Sequence, residues 1–287
     1  MAPETLASVP SLPRLYLRAA ATASGRGGTQ LPDTVLRLEG LEVDRYRLLR
    51  YQRLCGFAVG DVLPHTYPHV LGFPLQVELM ARRDFPLALP GLVHLENEVT
   101  VHRTLTSDDR LDVTVHAADL RGHAKGALVD LVTEAQIGGE LVWSGRSTYL
   151  RRGAAPRLHA VPGSPAPSPP AGPPAATWRL PGDLGRRYAE VSGDVNPIHL
   201  HRVTARAMGF PRAIAHGMWT SARTLGLLGP RTAGPSRSRV WFDKPVLLPS
   251  TVECFVDDSA GQVVASLSST GERAARHLVL TWAQQSG

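Results

Sequence analysis

Lysine is nearly missing from this chain. Lys125 and Lys244 are the only two, and arginine carries almost all of a positive charge that leaves a formal net of +6. Base composition of the coding gene is a sufficient account of that imbalance. The functional alternative is a partner bearing phosphates or carboxylates. Nucleic acid would also qualify by charge, but no stretch interleaves aromatic and basic residues and no zinc-ligand spacing supports it, so no nucleic-acid partner is expected. Cysteine is scarce too: Cys55 and Cys254 stand far apart in apolar, strand-like surroundings. Two buried thiols are expected rather than a disulfide framework, which fits a reducing cytoplasm. No run approaches the roughly 18 apolar residues that a membrane helix needs. The first residues, MAPETLASVPSLPRLYLRAAATAS, carry Glu4 early and lack a clean apolar signal core, so a soluble, cytoplasmic protein is expected.

What is present suffices for packed cores. The chain has 287 residues, of which 43% are apolar and 20% charged. That balance suits a globular chain of one large or two ordinary domains. A boundary shows at residues 153–176, where seven prolines fall between Pro162 and Pro174. Proline donates no backbone hydrogen bond and favours extended chain, so this stretch reads as a semi-rigid linker. It separates an N-terminal domain, 1–152, from a C-terminal domain, 177–287.

Both parts show one order of elements. Residues 215–228 have Met218, Ala222 and Leu225 on one helical stripe. Alternating runs follow at 251–256, 262–268 and 277–283, the last with Leu278, Leu280 and Trp282 on one face. In the N-terminal part, 68–82 reads as a helix interrupted at Pro74. Strand-like runs follow at 92–103, 110–118, 127–137 and 140–150, with Leu111, Val113, Val115 and Ala117 alternating. Helix followed by strands, twice, implies an α+β class with two copies of one domain.

Residues 188–201 concentrate chemistry. Asp194, Asn196 and His199 fall within six positions, after Tyr188, Ser192 and Gly193 and around Pro197. Gly193 permits a turn and Pro197 drives Asn196 away from helical geometry, so the segment is a loop leading into a helix near 202–208. Loops between rigid elements commonly carry catalytic groups. On spacing alone, turn and capping chemistry is the better account of Asp-x-Asn-Pro. A calcium loop fails because Ile198 and His199 stand where a further oxygen ligand and a glycine are needed. Zinc would need a distant third ligand beyond His199 and His201. No G-x-S-x-G elbow or nucleophilic cysteine context is present. Ala215-His216-Gly217-Met218 opens the C-terminal helix. There His216 could cap, while Gly217 could present a free N–H at the positive end of the helix dipole.

Taken together, Tyr188, Ser192 through His199, Ala213 through Met218, Phe242-Asp243-Lys244-Pro245-Val246 and Pro249 resemble the MaoC-like, or hydratase 2, family. The Gly-Asp-x-Asn-Pro-x-His core followed by His-Gly-Met is a specific signature, and the resemblance as a whole covers roughly residues 178–285. Weaker motifs, Phe73-Pro74-Leu75 and Gly91-Leu92-Val93-His94, resemble the first half of double-hotdog members, without an Asp-x-Asn-x-x-His of their own. The resemblance implies two tandem hotdog domains, each an antiparallel sheet wrapped around a central helix. It implies (R)-specific hydration of trans-2-enoyl thioesters, or the reverse dehydration of (R)-3-hydroxyacyl thioesters, in fatty-acid metabolism. Asp194 and His199 would be the catalytic pair, Asn196 would support them, and the Gly217 N–H would polarise the thioester carbonyl. Tyr188, Ser192, His216 and Met218 would line the substrate pocket. The degenerate first half would shape an acyl tunnel. No cofactor or metal is implied. The partner would be an acyl-CoA or acyl carrier protein thioester, and a double hotdog can stay monomeric or form a homodimer. Rival readings are a hotdog acyl-thioesterase, a non-catalytic acyl-thioester-binding protein, and a dehydratase of small hydroxyacids.

Overall fold

The computed structural model describes residues 2–153, 158–259 and 261–285. In chain order the elements are β1 (Glu4–Thr5), α1 (Leu12–Ala21), β2 (Val35–Leu41), α2 (Arg45–Cys55), α3 (Tyr67–Ala81), β3 (Leu92–Val101), β4 (Leu111–His123), β5 (Gly126–Ile137) and β6 (Glu140–Arg152). There follow β7 (Ala176–Leu180), α4 (Leu184–Ser192), α5 (Pro197–Leu200), α6 (Arg202–Ala207), α7 (Gly217–Leu227), β8 (Ser236–Phe242), β9 (Ser250–Asp257), β10 (Val263–Ser269) and β11 (Arg276–Gln284). A 3-10 turn spans Gly229–Ala233. Among the described residues no helix is long and apolar enough to cross a membrane.

The chain forms two compact units that interleave in sequence. The first comprises Met1–Val43, Pro68–Asn97 and Asp108–Ser164. The second comprises Asp44–Tyr67, Glu98–Ser107 and Pro165–Gly287. A single division at residues 153–176 therefore does not describe the packing. Helix α2, early in the chain, packs against α4 and α7. Within the expected linker, residues 154–157 lie outside the described residues. Residues 158–175 hold no regular helix or strand beyond a bridge from Ala160 to Gly122.

In the first unit the strand order is β1-β2-β4-β5-β6-β3. The β2–β4, β4–β5 and β5–β6 pairs are antiparallel. Helix α3 is buried on almost every side, with only Phe73 and Glu78 partly exposed, the mark of a central helix. The interruption expected at Pro74 does not occur: Pro74 lies inside a continuous helix. Gly72 lets α3 lie close on β5, where a Cβ would stand 2.5 Å from Thr133 Cγ2. The polar Gln76 on this buried helix is satisfied by the sheet. Its amide donates to Thr133 Oγ1 at 2.9 Å and its oxygen accepts from Tyr149 at 3.2 Å. The alternation expected in β4 holds for Leu111, Val113 and Val115, which are buried, while Ala117 is half-buried.

In the second unit the order is β8-β11-β10-β9-β7, with antiparallel neighbours throughout. Helix α7 packs on β10 and β11. The one-face reading of 277–283 gives way to burial of every residue from His277 to Thr281. Strand β11 runs between two neighbours, so its polar His277 and Thr281 are buried with its leucines. Both cysteines are free and buried. Helix-plus-antiparallel-sheet in each unit is the hotdog arrangement of an α+β chain.

Candidate active site

All the site residues named from sequence lie in the second unit, and local chain chemistry sets them in place. Helix α4 ends at Gly193, whose φ of 79° is the left-handed region that suits glycine; its N–H reaches back to Ala189 O. Ser192 Oγ donates to Tyr188 O at 2.8 Å and accepts from Asp194 N at 3.1 Å. Asp194 Oδ1 accepts from Asn196 N at 3.1 Å. Asn196 takes an extended ψ of 123° ahead of Pro197 and caps α5 by accepting from Ile198 N at 3.4 Å. Ser192 and Asn196 are thus engaged in shaping the loop. His199, on α5, is carried to the side of Asp194.

His199 is 8% exposed. Its Nδ1 lies 2.8 Å from the carbonyl oxygen of Ile214. A carbonyl can only accept, so Nδ1 carries the proton and Nε2 keeps a basic lone pair. The Ile214 carbonyl is itself held by pairing: Ile214 N donates to Ile198 O at 3.2 Å, Ala215 N to Val246 O at 2.9 Å and Leu248 N to Ala213 O at 2.8 Å. Burial lowers the His199 pKa, opposed by the Asp194 carboxylate and by the Ile214 bond. The imidazole is therefore neutral and able to accept a proton.

His216 does not cap α7, because its side chain makes no bond to the helix. It turns to Asp194, with Nε2 3.0 Å from the main-chain oxygen and 3.7 Å from Oδ2. Its ring stacks on His199 at 3.6 Å and lies 4.8 Å from the Tyr188 ring. Burial, then proximity to His199, brings its pKa down to about 3 against the pull of Asp194. Tyr188 is buried, and burial raises its phenol well above the ordinary value. Met218 is buried in the first turn of α7. Gly217 opens that helix, where an N–H has no acceptor within the helix. A Cβ there would meet the Phe242 ring at 3.2 Å. His201 is exposed and caps α6 through Nδ1, away from the pair.

Asp194, His199 and His216 offer ligand atoms within 4.8 Å of one another, a trio that the spacing of His199 and His201 did not suggest. The histidine planes differ by only 25°. Each lone pair lies in the plane of its own ring, and two planes 25° apart and 3.6 Å face to face do not meet at a common point the roughly 2.0–2.1 Å away that tetrahedral ligation requires. The arrangement suits proton transfer better than metal binding.

Four contributions escape a reading of the local sequence, three of them without any signal in it. Gly185 in α4 lies against α5, where a Cβ would fall 1.9 Å from His199 O; an isolated glycine inside a helix was the available clue. Helix α2 supplies Arg47, whose Nε donates to Val191 O at 2.7 Å, and Arg50, which pairs with Glu190. Tyr51, also on α2, bonds Thr66 at 2.8 Å and packs 6.1 Å from the Tyr188 ring. These residues lie about 140 positions from the loop they support, beyond any spacing rule.

Comparison with known proteins gives the family. Residues 176–277 match the MaoC like domain, and residues 51–143 match the FAS1-like dehydratase domain region. The chain is 38% identical over 236 residues to 3-hydroxyacyl-thioester dehydratase X of Mycobacterium tuberculosis, covering 81% of this chain and 83% of that protein. The crystal structure of HtdX from Mycobacterium tuberculosis superposes with a TM-score of 0.77 at 35% identity, over 88% of this chain and all of that one. A MaoC-like dehydratase from Phytophthora capsici shares the fold at 20% identity, with a TM-score of 0.72 over 90% of this chain and 96% of that one. The signature loop, the double helix-and-sheet architecture and these likenesses agree, and the chain belongs to the MaoC-like dehydratase family.

Proposed function

We propose that this enzyme removes water from (R)-3-hydroxyacyl thioesters and, in reverse, adds it to trans-2-enoyl thioesters, with Asp194 and His199 as its acid–base pair. The observation that carries the reading is the orientation of His199. Its Nδ1 proton is committed to Ile214 O, which leaves the Nε2 lone pair of the ring free, and a ring nitrogen of His199 lies within 4.8 Å of an Asp194 carboxylate oxygen.

Dehydration breaks the Cα–H bond and the Cβ–O bond. One member of the pair takes the α-proton, and the electron pair left on Cα moves toward the thioester carbonyl. As the double bond forms, the β-hydroxyl departs with a proton supplied by the pair, so one enoyl thioester and one water result. Negative charge on the thioester oxygen is met by the Gly217 N–H, reinforced by the dipole of α7. A donor of this kind is worth about 2.7–4 kcal/mol in the transition state. Ser192 and Asn196 hold the loop that carries the pair, and Tyr188 and Met218 form apolar wall.

The test follows enoyl-thioester absorbance with trans-2-enoyl-CoA substrates of increasing length, then with the corresponding carrier-protein thioesters. Wild-type turnover that falls by at least about 100-fold in Asp194→Asn and in His199→Ala is expected, in line with the worth of positioned acid–base groups. Near-normal turnover in either variant overturns the assignment of the pair. Release of free thiol in place of hydration would mark a thioesterase.

A further inference from the structure

Neither the loop chemistry nor the proton bookkeeping uses His216, and its surroundings are unusual for a spectator. The side chain is 2% exposed. Its Nε2 faces a main-chain carbonyl oxygen, that of Asp194, at 3.0 Å. That oxygen can only accept, so Nε2 bears the proton and Nδ1 is a bare lone pair. Among the described residues, Nδ1 is buried with no hydrogen-bond partner. Leaving such an atom unsatisfied is destabilising, so the ring is held there by what its other nitrogen and its two faces do. One hydrogen bond fixes the Asp194 main chain. The ring also stacks against His199 at 3.6 Å with 25° between planes. Tyr188, on α4, packs 4.8 Å away.

We propose that His216 is a positioning residue, whose neutral imidazole clamps the Asp194 main chain and face-stacks His199, so that the acid–base pair stands in reacting register before substrate arrives. The proposal rests on the reading of Asp194 and His199 as that pair. The bond from His199 to Ile214 O anchors one edge of the His199 ring and leaves rotation about that edge. The stacked His216 ring blocks this rotation, and its N–H fixes the backbone from which the Asp194 side chain springs. The clamp requires a neutral ring, because a second cation 3.6 Å from a protonated His199 would be repelled. The proton taken from substrate therefore stays on His199 or Asp194. The two groups of known charge behaviour that face His216 act in opposite directions: His199 disfavours its protonation and Asp194 favours it, with burial the largest influence.

Two variants separate the parts of the clamp. His216→Phe keeps a flat ring to stack and loses the donor; His216→Gln keeps a donor and loses the ring. With folding checked by near-ultraviolet circular dichroism, each is expected to lower kcat about 10- to 100-fold, the scale of misplaced reacting groups, while KM stays within about twofold. Unchanged kcat in both variants, or a rise in KM alone, overturns the proposal. A second readout needs no turnover. Nitrogen NMR of His216 in the resting wild-type protein should show the neutral Nε2–H tautomer throughout pH 5 to 8. A protonated ring at neutral pH, or the Nδ1–H tautomer, overturns it. Asp194→Asn serves as the separate control: retained turnover there defeats the reading of the pair, while the NMR result still decides the clamp.

Discussion

Gly185 shows how one missing atom can set the approach of two helices at the proposed catalytic pair. Helix α4 approaches α5 so closely that a Cβ at Gly185 would lie 1.9 Å from the His199 carbonyl oxygen, a backbone atom that cannot swing aside. Gly185→Ala is therefore expected to push α5 away, costing about 1–3 kcal/mol of stability as overpacking does. It should also lower turnover through His199. Urea unfolding and the enoyl-thioester assay, run on one preparation, check both. Histidine burial makes a second residue-scale prediction. Burial brings His65 and His216 down to about 3 and lowers His199 as well. The folded protein then binds fewer protons than the unfolded chain at mildly acid pH. Stability is fully present above the unfolded histidine value of about 6.5 and is lost as pH falls below it toward 3, by about 1.4 kcal/mol per pH unit for each such histidine. His65 bonds Ser238 Oγ at 2.8 Å and Ser236 Oγ at 3.2 Å through its ring nitrogens. His65→Gln should flatten the pH dependence of the urea midpoint between pH 6 and pH 4 by one proton. An unchanged slope would show that His65 is not held neutral.

At the scale of elements, helix ends expose their needs. Carbonyls at the C-terminus of α3 have no intrahelical donor. Arg26 answers them: its NH1 donates to Met80 O at 2.9 Å and Leu87 O at 3.4 Å, and its NH2 donates to Ala81 O at 3.2 Å and Thr22 Oγ1 at 2.7 Å. One guanidinium thus ties the end of the central helix to the turn after α1. Arg26→Met keeps most of the aliphatic stem and removes the donors. A loss of about 1–3 kcal/mol is expected from the orphaned carbonyls, read as a lower denaturation midpoint. Elements were legible where one face is buried and repeats. The stripe of α7 and the alternation of β4 and β9 appear in the sequence because Met218, Ala222 and Leu225, or Leu111, Val113 and Val115, meet a core on one side. Helix α2 was not legible. Its run Arg-Tyr-Arg-Leu-Leu-Arg-Tyr-Gln-Arg-Leu-Cys is rich in arginine, and its buried Tyr51 and Cys55 meet distant partners, Tyr188 and Gly226.

For the molecule as a whole, the thiols give a compact check of the second unit's core, which holds both of them. Cys55 and Cys254 are buried and free, and burial raises both pKa values, Cys254 to about 11. A thiol reagent at pH 8 should label neither cysteine in the native protein and both in denaturant. A reductant should leave the melting temperature unchanged. Rapid native labelling of either thiol would contradict the packing around α2 or β9. The interleaving of the two units has the same origin as the obscurity of α2. Residues 44–67 leave the first unit to pack with α4 and α7, a long-range choice made by Trp219 Nε1 donating to Leu54 O at 3.3 Å and by Gly226 lying against Cys55 O.

Local sequence was enough for the α+β class and for the loop at residues 192–199. Alternation, helical stripes and the Gly-Asp-x-Asn-Pro-x-His order are local properties, written in neighbouring side chains. It also set the turn at Gly193 and the cap at Asn196, which depend on φ and ψ within a few residues. The folded chain alone settles which tautomer His199 holds, that His216 faces Asp194 instead of capping α7, and that α2 lies against the end of α4. Each of these depends on a partner brought close by packing: the Ile214 carbonyl, the Asp194 main chain, the Val191 carbonyl. Burial, which sets the protonation of the imidazoles, exists only once the chain has folded around them.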